Sequence, residues 1–358
     1  MLLRSAPDRA AMSNSTTTPQ RPRLLTGDRP TGPLHLGHLL SSLQNRVSMQ
    51  DSHECFSIVA DLHTLTTRPQ REHIGRLPEH VRAVVLDLLS AGIDPERTTI
   101  YLQSGVPAVY DLAILLQMLI PTSHLRSLAS IAQMAKVAGV DDDDMSLGLL
   151  GYPVLQAADI LMARAEQIPV GGDNLAHIDI AREAAQNFND MYGVVFPLPE
   201  ARASRVRTLP GIGPGGGKMS KSVGNTINLG DHPKVVATKL GGLTGERLRA
   251  FADALIEDRE EASSIISDHE VGALADGNLQ ERLITETELL LQPLRDRRAS
   301  FEKDEGLIEE ILVDGTIRAR KLAYETLGKV REAMGLAQLW QGLIDVAEQR
   351  ADARKKPY

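Results

Sequence analysis

The chain has 358 residues, a length that predicts about two domains. With 42% hydrophobic and 24% charged residues, its composition excludes a disordered chain, a collagen and a coiled coil. The net charge of −8 excludes a protein coated in positive charge but allows a local basic surface for nucleic acid. The single cysteine, Cys55, excludes an intrachain disulfide. The sequence contains no zinc-type Cys/His spacing and no run of about 18 apolar residues that would predict a membrane span.

Residues 1–20 are small and polar, and they predict a disordered leader. Short apolar runs then predict strands at 24–25, 55–60, 100–102 and 168–170. Stripes of apolar residues at helical spacing separate these runs. The alternation of strand and helix predicts an α/β fold with a parallel sheet that is covered by helices on both faces.

Three boundaries follow from changes in this pattern. Residues 111–165 are mostly helical and predict an insertion within an α/β domain that spans 21–228. Strand signals vanish after about residue 228, so an all-helical domain is predicted over 229–345. One apolar helical face begins at Ile308, and a second face ends at Gly335. A tail is predicted over 346–358.

The first motif that suits chemistry is His35-Leu36-Gly37-His38, where a predicted strand passes into a helix. Two imidazoles three residues apart lie on one side of the first helical turn, and Gly37 lets a planar group approach the backbone. A helix start favours negative charge, so the motif suits a nucleotide whose phosphate gains charge during reaction. The alternative is two polar residues that cap a buried helix.

The second motif is Lys218-Met219-Ser220-Lys221-Ser222, which directly follows the glycine-rich stretch 211–217. Glycine at this density predicts a mobile loop. Two lysines on such a loop are able to swing onto a polyphosphate and to balance the charge of a leaving pyrophosphate. The alternative is a solvated basic loop.

Together the two motifs are more specific than either alone. The first resembles the first signature of class I aminoacyl-tRNA synthetases, and the second matches the family's other signature letter for letter. The resemblance covers about residues 21–340. It implies a Rossmann-like catalytic domain, an anticodon-binding helical domain, and ATP with Mg²⁺ as cofactors. It also implies activation of an amino acid as its adenylate, followed by transfer to tRNA.

A third segment, 151–161, resembles the tryptophanyl branch of this family, in which an aspartate meets the indole. Indole N–H is only a donor, and a carboxylate accepts without offering a competing donor. Asp159 is therefore the candidate for indole recognition, although a surface aspartate or a helix-end ion pair is the alternative. The resemblance adds further tryptophan-site residues: Tyr152, His63, Gln156, Val170 and Gln103.

The resemblance also assigns the nucleotide site. His35, His38, Lys218 and Lys221 are implied to be catalytic. In the segment 169–177, Asp173 is placed to cap a helix, to accept a ribose hydroxyl, or to do both. The implied ATP-binding residues are Arg29, Gly37, Gly171, Gly172, Asp173, Lys218, Met219, Ser220, Lys221 and Ser222.

Four positions depart from the common bacterial pattern of the family, among them Gly172 and Asn174, which stand where glutamate and glutamine are usual. Arg29 stands where glutamine is usual, and Gln156 stands where methionine is usual. With these residues the chain resembles the divergent auxiliary tryptophanyl-tRNA synthetases of some bacteria. The resemblance implies an altered response to inhibitors that mimic tryptophan. Two other functions stay open: a tyrosyl-tRNA synthetase, and a regulatory or partner protein that descends from a synthetase and binds tryptophan.

The partners that the resemblance implies are tRNA(Trp), L-tryptophan and a second copy of the chain in a homodimer. A further protein partner is possible and unidentified, and the expected location is the cytoplasm. RNA binding requires local basic surfaces because the whole chain is acidic. Each candidate for this role has the alternative of a solvated helix face. The candidates are Arg318, Arg320, Lys321, Lys329 and Arg331.

Overall fold

The structure is a computed structural model, and it describes residues 21–170, 175–203, 209–213, 217–221 and 223–355. The predicted leader lies outside these residues, as do four of the predicted ATP-binding residues: Gly171, Gly172, Asp173 and Ser222. None of the helices within the described ranges combines the length and the apolar composition needed to cross a membrane.

One parallel sheet forms the centre of the fold. Its strands are β1 (Arg23–Asp28), β2 (Glu54–Val59), β3 (Thr98–Leu102), β4 (Gln167–Val170) and β5 (Glu200–Ala203). The strand order is β3-β2-β1-β4-β5. The four predicted strands coincide with β1 to β4, and the predicted α/β class is confirmed. The sequence did not predict β5, because Glu-Ala-Arg-Ala contains no apolar run.

Helices cover the sheet and connect its strands. In the first part of the chain they are α1 (Leu36–His38), α2 (Gln44–Met49), α3 (Asp61–Leu65), α4 (Arg71–Gly75), α5 (Leu77–Ala91), α6 (Ala108–Gln117), α7 (Thr122–Arg126), α8 (Ala129–Ala138), α9 (Leu147–Met162) and α10 (Leu175–Tyr192). A π-helical turn, Leu39–Leu43, joins α1 to α2. Short 3₁₀ turns lie at Gln103–Gly105 and Asp142–Asp144.

Apart from two isolated β-bridges, Pro210 with Lys218 and His35 with Asn228, the regular elements that follow β5 in the described ranges are helices. They are α11 (Pro233–Leu240), α12 (Gly245–Leu255), α13 (Arg259–Glu270), α14 (Asp276–Phe301), α15 (Leu307–Ala333) and α16 (Leu336–Lys355). The two apolar faces predicted between Ile308 and Gly335 belong to one helix, α15, because only Gly315 interrupts the helix-forming residues between them. Helix α16 continues through 346–355, where the sequence predicted a tail.

The strand order creates the crevice that positions the site. The chain leaves β1 towards β2 on one side, and β4 pairs with β1 on the other side. In parallel sheets, ligands bind outside the carboxyl ends of the strands at such a reversal of strand order. The turn that carries His35 follows β1 directly, so the first motif opens onto this crevice.

Helix α15 packs against the edge strand β3 and changes the environment of two candidate RNA-binding residues. Thr316 Oγ1 accepts a hydrogen bond from the β3 backbone at 3.2 Å. The Arg318 guanidinium donates to the carbonyl of Pro95, and Arg320 donates to that of Gly105. Both arginines therefore connect α15 to the α/β region by hydrogen bonds, and these bonds use part of the donor capacity of their guanidinium groups.

Candidate active site

The turn after β1 fixes the first motif. Leu34 and Leu36 are fully buried and anchor the turn in the core, with His35 between them at the start of α1. The backbone amide of His35 donates to Nδ1 of His38 at 3.2 Å, and the two ring centroids are 3.8 Å apart. A Cβ on Gly37 would lie 3.0 Å from the His35 ring, so glycine permits this close approach.

Both imidazoles of the motif are neutral at physiological pH. Burial, together with the charges of Lys221 and Lys218, lowers the pKa of His35 to about 3. Burial also lowers the pKa of His38 well below its ordinary value. Nδ1 of His35 is buried and has no hydrogen-bond partner. The pair is therefore suited to exchanging hydrogen bonds with a phosphate rather than to supplying positive charge.

The second motif lies against the first. Met219 is buried, and its Sδ would be 3.8 Å from a Cβ on Gly37. Lys221 Nζ donates to the carbonyl of Gly32 at 2.9 Å and to that of Arg29 at 3.4 Å. The structure thus brings together two motifs that are about 180 residues apart in the sequence.

Asn225 holds the lysine loop in this position, a role that the sequence analysis did not assign. Its Oδ1 accepts a hydrogen bond from the backbone amide of Ser220 at 2.8 Å, and its Nδ2 donates to the carbonyl of Lys218 at 3.4 Å. The amide of Met219 donates to the carbonyl of Leu209 at 3.1 Å. These contacts orient the loop towards the first motif.

The charges around Lys221 balance one another only in part. Burial lowers the pKa of Lys221 to about 8, although the nearby carboxylates of Asp28 and Asp87 act in the opposite direction. Asp28 forms a buried ion pair with Arg46 at 2.5 Å. Burial alone would raise the pKa of Asp28, but the charge and hydrogen bond of Arg46 together with the charges of His38 and Lys221 outweigh it, so that this pKa lies below its ordinary value. Asp28 is therefore a carboxylate that helps to keep Lys221 charged.

A second polar cluster surrounds Asp159 on α9. Its carboxylate is buried, and Oδ2 lies 3.0 Å from Nε2 of His63 and accepts a hydrogen bond from Nε2 of Gln103 at 2.7 Å. Oε1 of Gln103 accepts the backbone amide of Leu62 at 3.1 Å, which fixes the orientation of the amide group. Burial raises the pKa of Asp159, while His63 and Gln103 act to lower it. Its second oxygen, Oδ1, is buried and has no partner.

Tyr152 forms another wall of this cluster. Its ring is perpendicular to that of His63, with centroids 6.3 Å apart. The hydroxyl of Tyr152 lies 3.0 Å from Nε2 of His177, which is 2.7 Å from Oγ of Ser130. No local pattern in the sequence relates Ser130 or His177 to Tyr152, so these two contacts were not predictable.

The remaining predicted residues lie around these two clusters. Nη2 of Arg29 donates to Oγ1 of Thr67 at 2.6 Å, and its Nε is buried without a partner. The charge of Arg29 acts on both Lys221 and the Tyr152 hydroxyl, so its guanidinium lies between the two clusters. Val170 packs at the edge of the core that contains Tyr152. Gln156 is half-buried on α9.

Comparison with known proteins identifies the family. Residues 17–253 match the model of the family described as tRNA synthetases class I (W and Y). The chain belongs to this family. A tryptophan–tRNA ligase of Treponema pallidum is 43% identical over 330 residues, which cover 88% of this chain and 97% of the relative. A tryptophan–tRNA ligase of Chlamydia caviae is 39% identical over 344 residues, which cover 91% of this chain and 99% of the relative.

Solved structures of this family share the fold. Tryptophanyl-tRNA synthetase from Campylobacter jejuni, complexed with ADP and tryptophan, has a TM-score of 0.73 and 30% identity, and the match covers 88% of this chain and 100% of that one. Tyrosyl-tRNA synthetase from Archaeoglobus fulgidus, at 21% identity and a TM-score of 0.59, shows the same fold alone. The family assignment agrees with both predicted signatures.

Proposed function

We propose that this class I synthetase activates L-tryptophan with ATP and transfers it to tRNA(Trp). The observation that carries the choice of tryptophan is the Oδ1 atom of Asp159, a buried acceptor without a partner. An indole N–H placed there would satisfy it, and a buried acceptor that lacks a partner costs about 1–3 kcal/mol. The relatives named tryptophan–tRNA ligase support the same substrate.

The first step would join the tryptophan carboxylate to the nucleotide. A carboxylate oxygen attacks the α-phosphorus of ATP, the bond from that phosphorus to the bridging oxygen breaks, and pyrophosphate leaves. Lys218 and Lys221 would balance the charge of the leaving group. His35 and His38, both neutral, would hold the phosphates by hydrogen bonds rather than by charge.

The second step would transfer the tryptophanyl group to RNA. A hydroxyl at the 3′ end of the tRNA attacks the carbonyl carbon of the adenylate, the acyl–phosphate bond breaks, and AMP leaves. The fixed position of tryptophan at Asp159 would hold this carbonyl near the crevice for both steps.

Magnesium would enter with ATP rather than as a resident ion. In the described ranges there is no group of three His, Cys, Asp or Glu side chains that could hold a metal ion. The residues present therefore do not fit a protein-bound magnesium site, and we propose that nucleotide phosphates supply its ligands.

A homodimer would place an apolar helix face in an interface. Tyr110, Ile114 and Met118 follow one another at intervals of four residues along α6 and its end, and they are 41%, 55% and 70% exposed. Exposed apolar residues on one face are typical of an interaction surface. Sedimentation of the purified chain should give the mass of two copies, and a monomer at micromolar concentration would contradict the proposal.

The experiment for the function is ATP–pyrophosphate exchange with tryptophan and tyrosine in separate reactions, followed by charging of tRNA. We expect exchange with tryptophan and the attachment of tryptophan to tRNA(Trp). Exchange with tyrosine alone would identify a tyrosyl-tRNA synthetase. Binding of tryptophan with neither exchange nor charging would identify a regulatory protein.

A further inference from the structure

A cleft of about 400 Å³ opens beside Lys221 and the turn that follows β1. Thr31, Gly32 and Pro33 of this turn line one side, and residues between α3 and the start of α5 line another. Within the described part of the chain, its lining contains no Asp or Glu. The basic and imidazole side chains that line it are Arg68, His73, Arg76, His80, Lys221 and Lys239.

The charge of this cleft is only partly neutralised. Lys239 pairs with Asp231 at 2.6 Å. Among the described residues, neither Arg68 nor Arg76 forms an ion pair. Burial and the neighbouring charge of Arg68 lower the pKa of Arg29, so two like charges lie close together there. Unpaired cations that converge on one concave surface attract a multiply charged anion.

Neutral donors complete the lining. Burial and the charge of Arg76 lower the pKa of His80, although Glu79 and a hydrogen bond to the backbone of Pro30 act in the opposite direction. Thr31 adds a hydroxyl, and Asn228, whose Oδ1 accepts the hydroxyl of Thr226 at 3.0 Å, adds an amide N–H. Charged guanidinium groups beside neutral donors are the groups that bind phosphate oxygens in proteins.

We propose that this cleft is a binding site for inorganic pyrophosphate on its way out of the active site. The proposal rests on the proposed function, which generates pyrophosphate beside Lys221. Lys221 belongs to both the second motif and the lining of the cleft, so the cleft adjoins the lysine that would balance the charge of the leaving group. Pyrophosphate carries several negative charges, whereas each RNA phosphate carries one, and the cluster of cations favours the first.

The size of the cleft agrees with this ligand. A volume of about 400 Å³ has room for roughly thirteen water molecules at about 30 Å³ each, which is ample for two linked phosphates. The arginines that supply the unpaired charge lie outside both signature motifs. The sequence did not predict them, because isolated basic residues in the segment 66–80 resemble any solvated loop.

The first test is direct binding of inorganic pyrophosphate to the full chain by calorimetry, which requires no catalysis. We expect the double variant Arg68→Gln, Arg76→Gln to bind pyrophosphate about tenfold more weakly than the wild type, because two charge-assisted contacts are lost. The matched control is Arg71→Gln, since Arg71 is exposed on the neighbouring α4 and does not line the cleft. Circular dichroism should show that both variants are folded.

The second test is the exchange reaction. The double variant should raise the KM for pyrophosphate about tenfold and leave the KM values for ATP and tryptophan unchanged. Unchanged pyrophosphate affinity in both tests would overturn the proposal. An equal rise in the KM for ATP would also overturn the proposal, because it would place the cleft in the substrate's triphosphate site. A rise in the KM for tRNA alone would overturn it as well. Arginine-dependent binding without exchange would support the anion site and overturn the proposed function.

Discussion

The two oxygens of Asp159 have different environments, and this difference determines what the side chain can recognise. Oδ2 is engaged by His63 and Gln103, whereas Oδ1 is buried without a partner. A polar atom that is buried and unsatisfied in the free protein is unfavourable for folding but favours a ligand that donates to it. Ligand binding and folding therefore make opposite demands on this side chain.

We predict that Asp159→Asn raises the KM for tryptophan about ten- to hundredfold, because a hydrogen bond to a charged acceptor is worth about 1.5–3 kcal/mol. The amide keeps the shape of the side chain but loses the charge. The measurement is the KM for tryptophan and for ATP in the exchange reaction, and the KM for ATP should stay unchanged. Asp179→Asn, an exposed position on α10, serves as the control. An unchanged KM for tryptophan would remove Asp159 from the recognition site.

Lys221 gives the activity a predicted dependence on pH. Burial lowers its pKa to about 8, so the free protein loses this positive charge at higher pH. Because kcat/KM reports ionisations of the free protein, kcat/KM for ATP should fall above about pH 8. In Lys221→Arg this alkaline limb should be absent, since guanidinium stays protonated to about pH 12 or above. An identical limb in both proteins would assign the ionisation to another group.

The effect of Lys221 on stability changes with pH in the direction opposite to its effect on activity. An unfolded lysine keeps its proton to about pH 10.4, whereas the folded chain releases it near pH 8. The unfolded state therefore binds more protons between these values, and this group makes the folded state more stable as the pH rises through that window.

Individual residues were predictable from the sequence where a short motif carried them. The motifs identified His35 and Lys221 because residue type and spacing are local properties. Ser130 and Arg46 contact His177 and Asp28, which are 47 and 18 residues away in the sequence. Asn225 lies close to the second motif in the sequence, but folding of the loop turns its side chain back onto the Ser220 amide. No local pattern contains that information.

At the scale of elements, the buried ion pair of Asp28 and Arg46 connects the end of β1 to α2. We predict that Arg46→Met destabilises the chain by about 3–5 kcal/mol at pH 7, since the carboxylate is left buried without its partner. The measurement is urea unfolding, with Arg82→Met as the control. Arg82 forms an exposed ion pair with Glu309, and its loss should cost about 1 kcal/mol or less. Equal losses in the two variants would contradict the prediction.

The pH dependence of this effect also has a definite sign. Arg46 helps to hold the pKa of Asp28 below its ordinary value, so the pair contributes stability above about pH 4, the unfolded pKa. That contribution is lost as the pH falls through the lower, folded value. The difference between wild type and Arg46→Met should therefore shrink in acid.

Strands and helices were predictable from the sequence where apolar residues form a clear run or stripe. The strands β1 to β4 carry apolar runs that predict them, and β5 does not. The length of α15 was not predicted, because two apolar faces separated by charged residues are also typical of two helices. Its continuity depends on the packing of its middle turns against β3, which is a tertiary contact.

At the scale of the molecule, the helices that follow residue 228 are packed into the α/β region. One core cluster contains residues of α5, α12 and α14 together with the leucines that follow His35. The other contains residues of α9 and α10 with Ala319, Leu327 and Val330 of α15. The sequence distinguishes a strand-rich part from a helical part, but composition carries no information about which helix lies on which strand.

The contact between α15 and β3 leads to a prediction for two glycines of one helix. A Cβ on Gly315 would overlap the carbonyl of Ile100, whereas a Cβ on Gly328 would meet no atom within 4 Å. We predict that Gly315→Ala destabilises the chain by about 1–3 kcal/mol through overpacking. Gly328→Ala should stabilise it by about 0.5–1 kcal/mol, since alanine favours a helix.

Gly315→Ala should also affect the tryptophan site. Arg320 of α15 donates to the carbonyl of Gly105, which ends the 3₁₀ turn that begins at Gln103, the partner of Asp159. Moving α15 away from β3 would shift that turn, so Gly315→Ala should also raise the KM for tryptophan, and Gly328→Ala should not. Urea unfolding and the exchange reaction measure the two effects. A Gly315→Ala protein with wild-type stability would show that α15 is free to move off β3 without loss of packing.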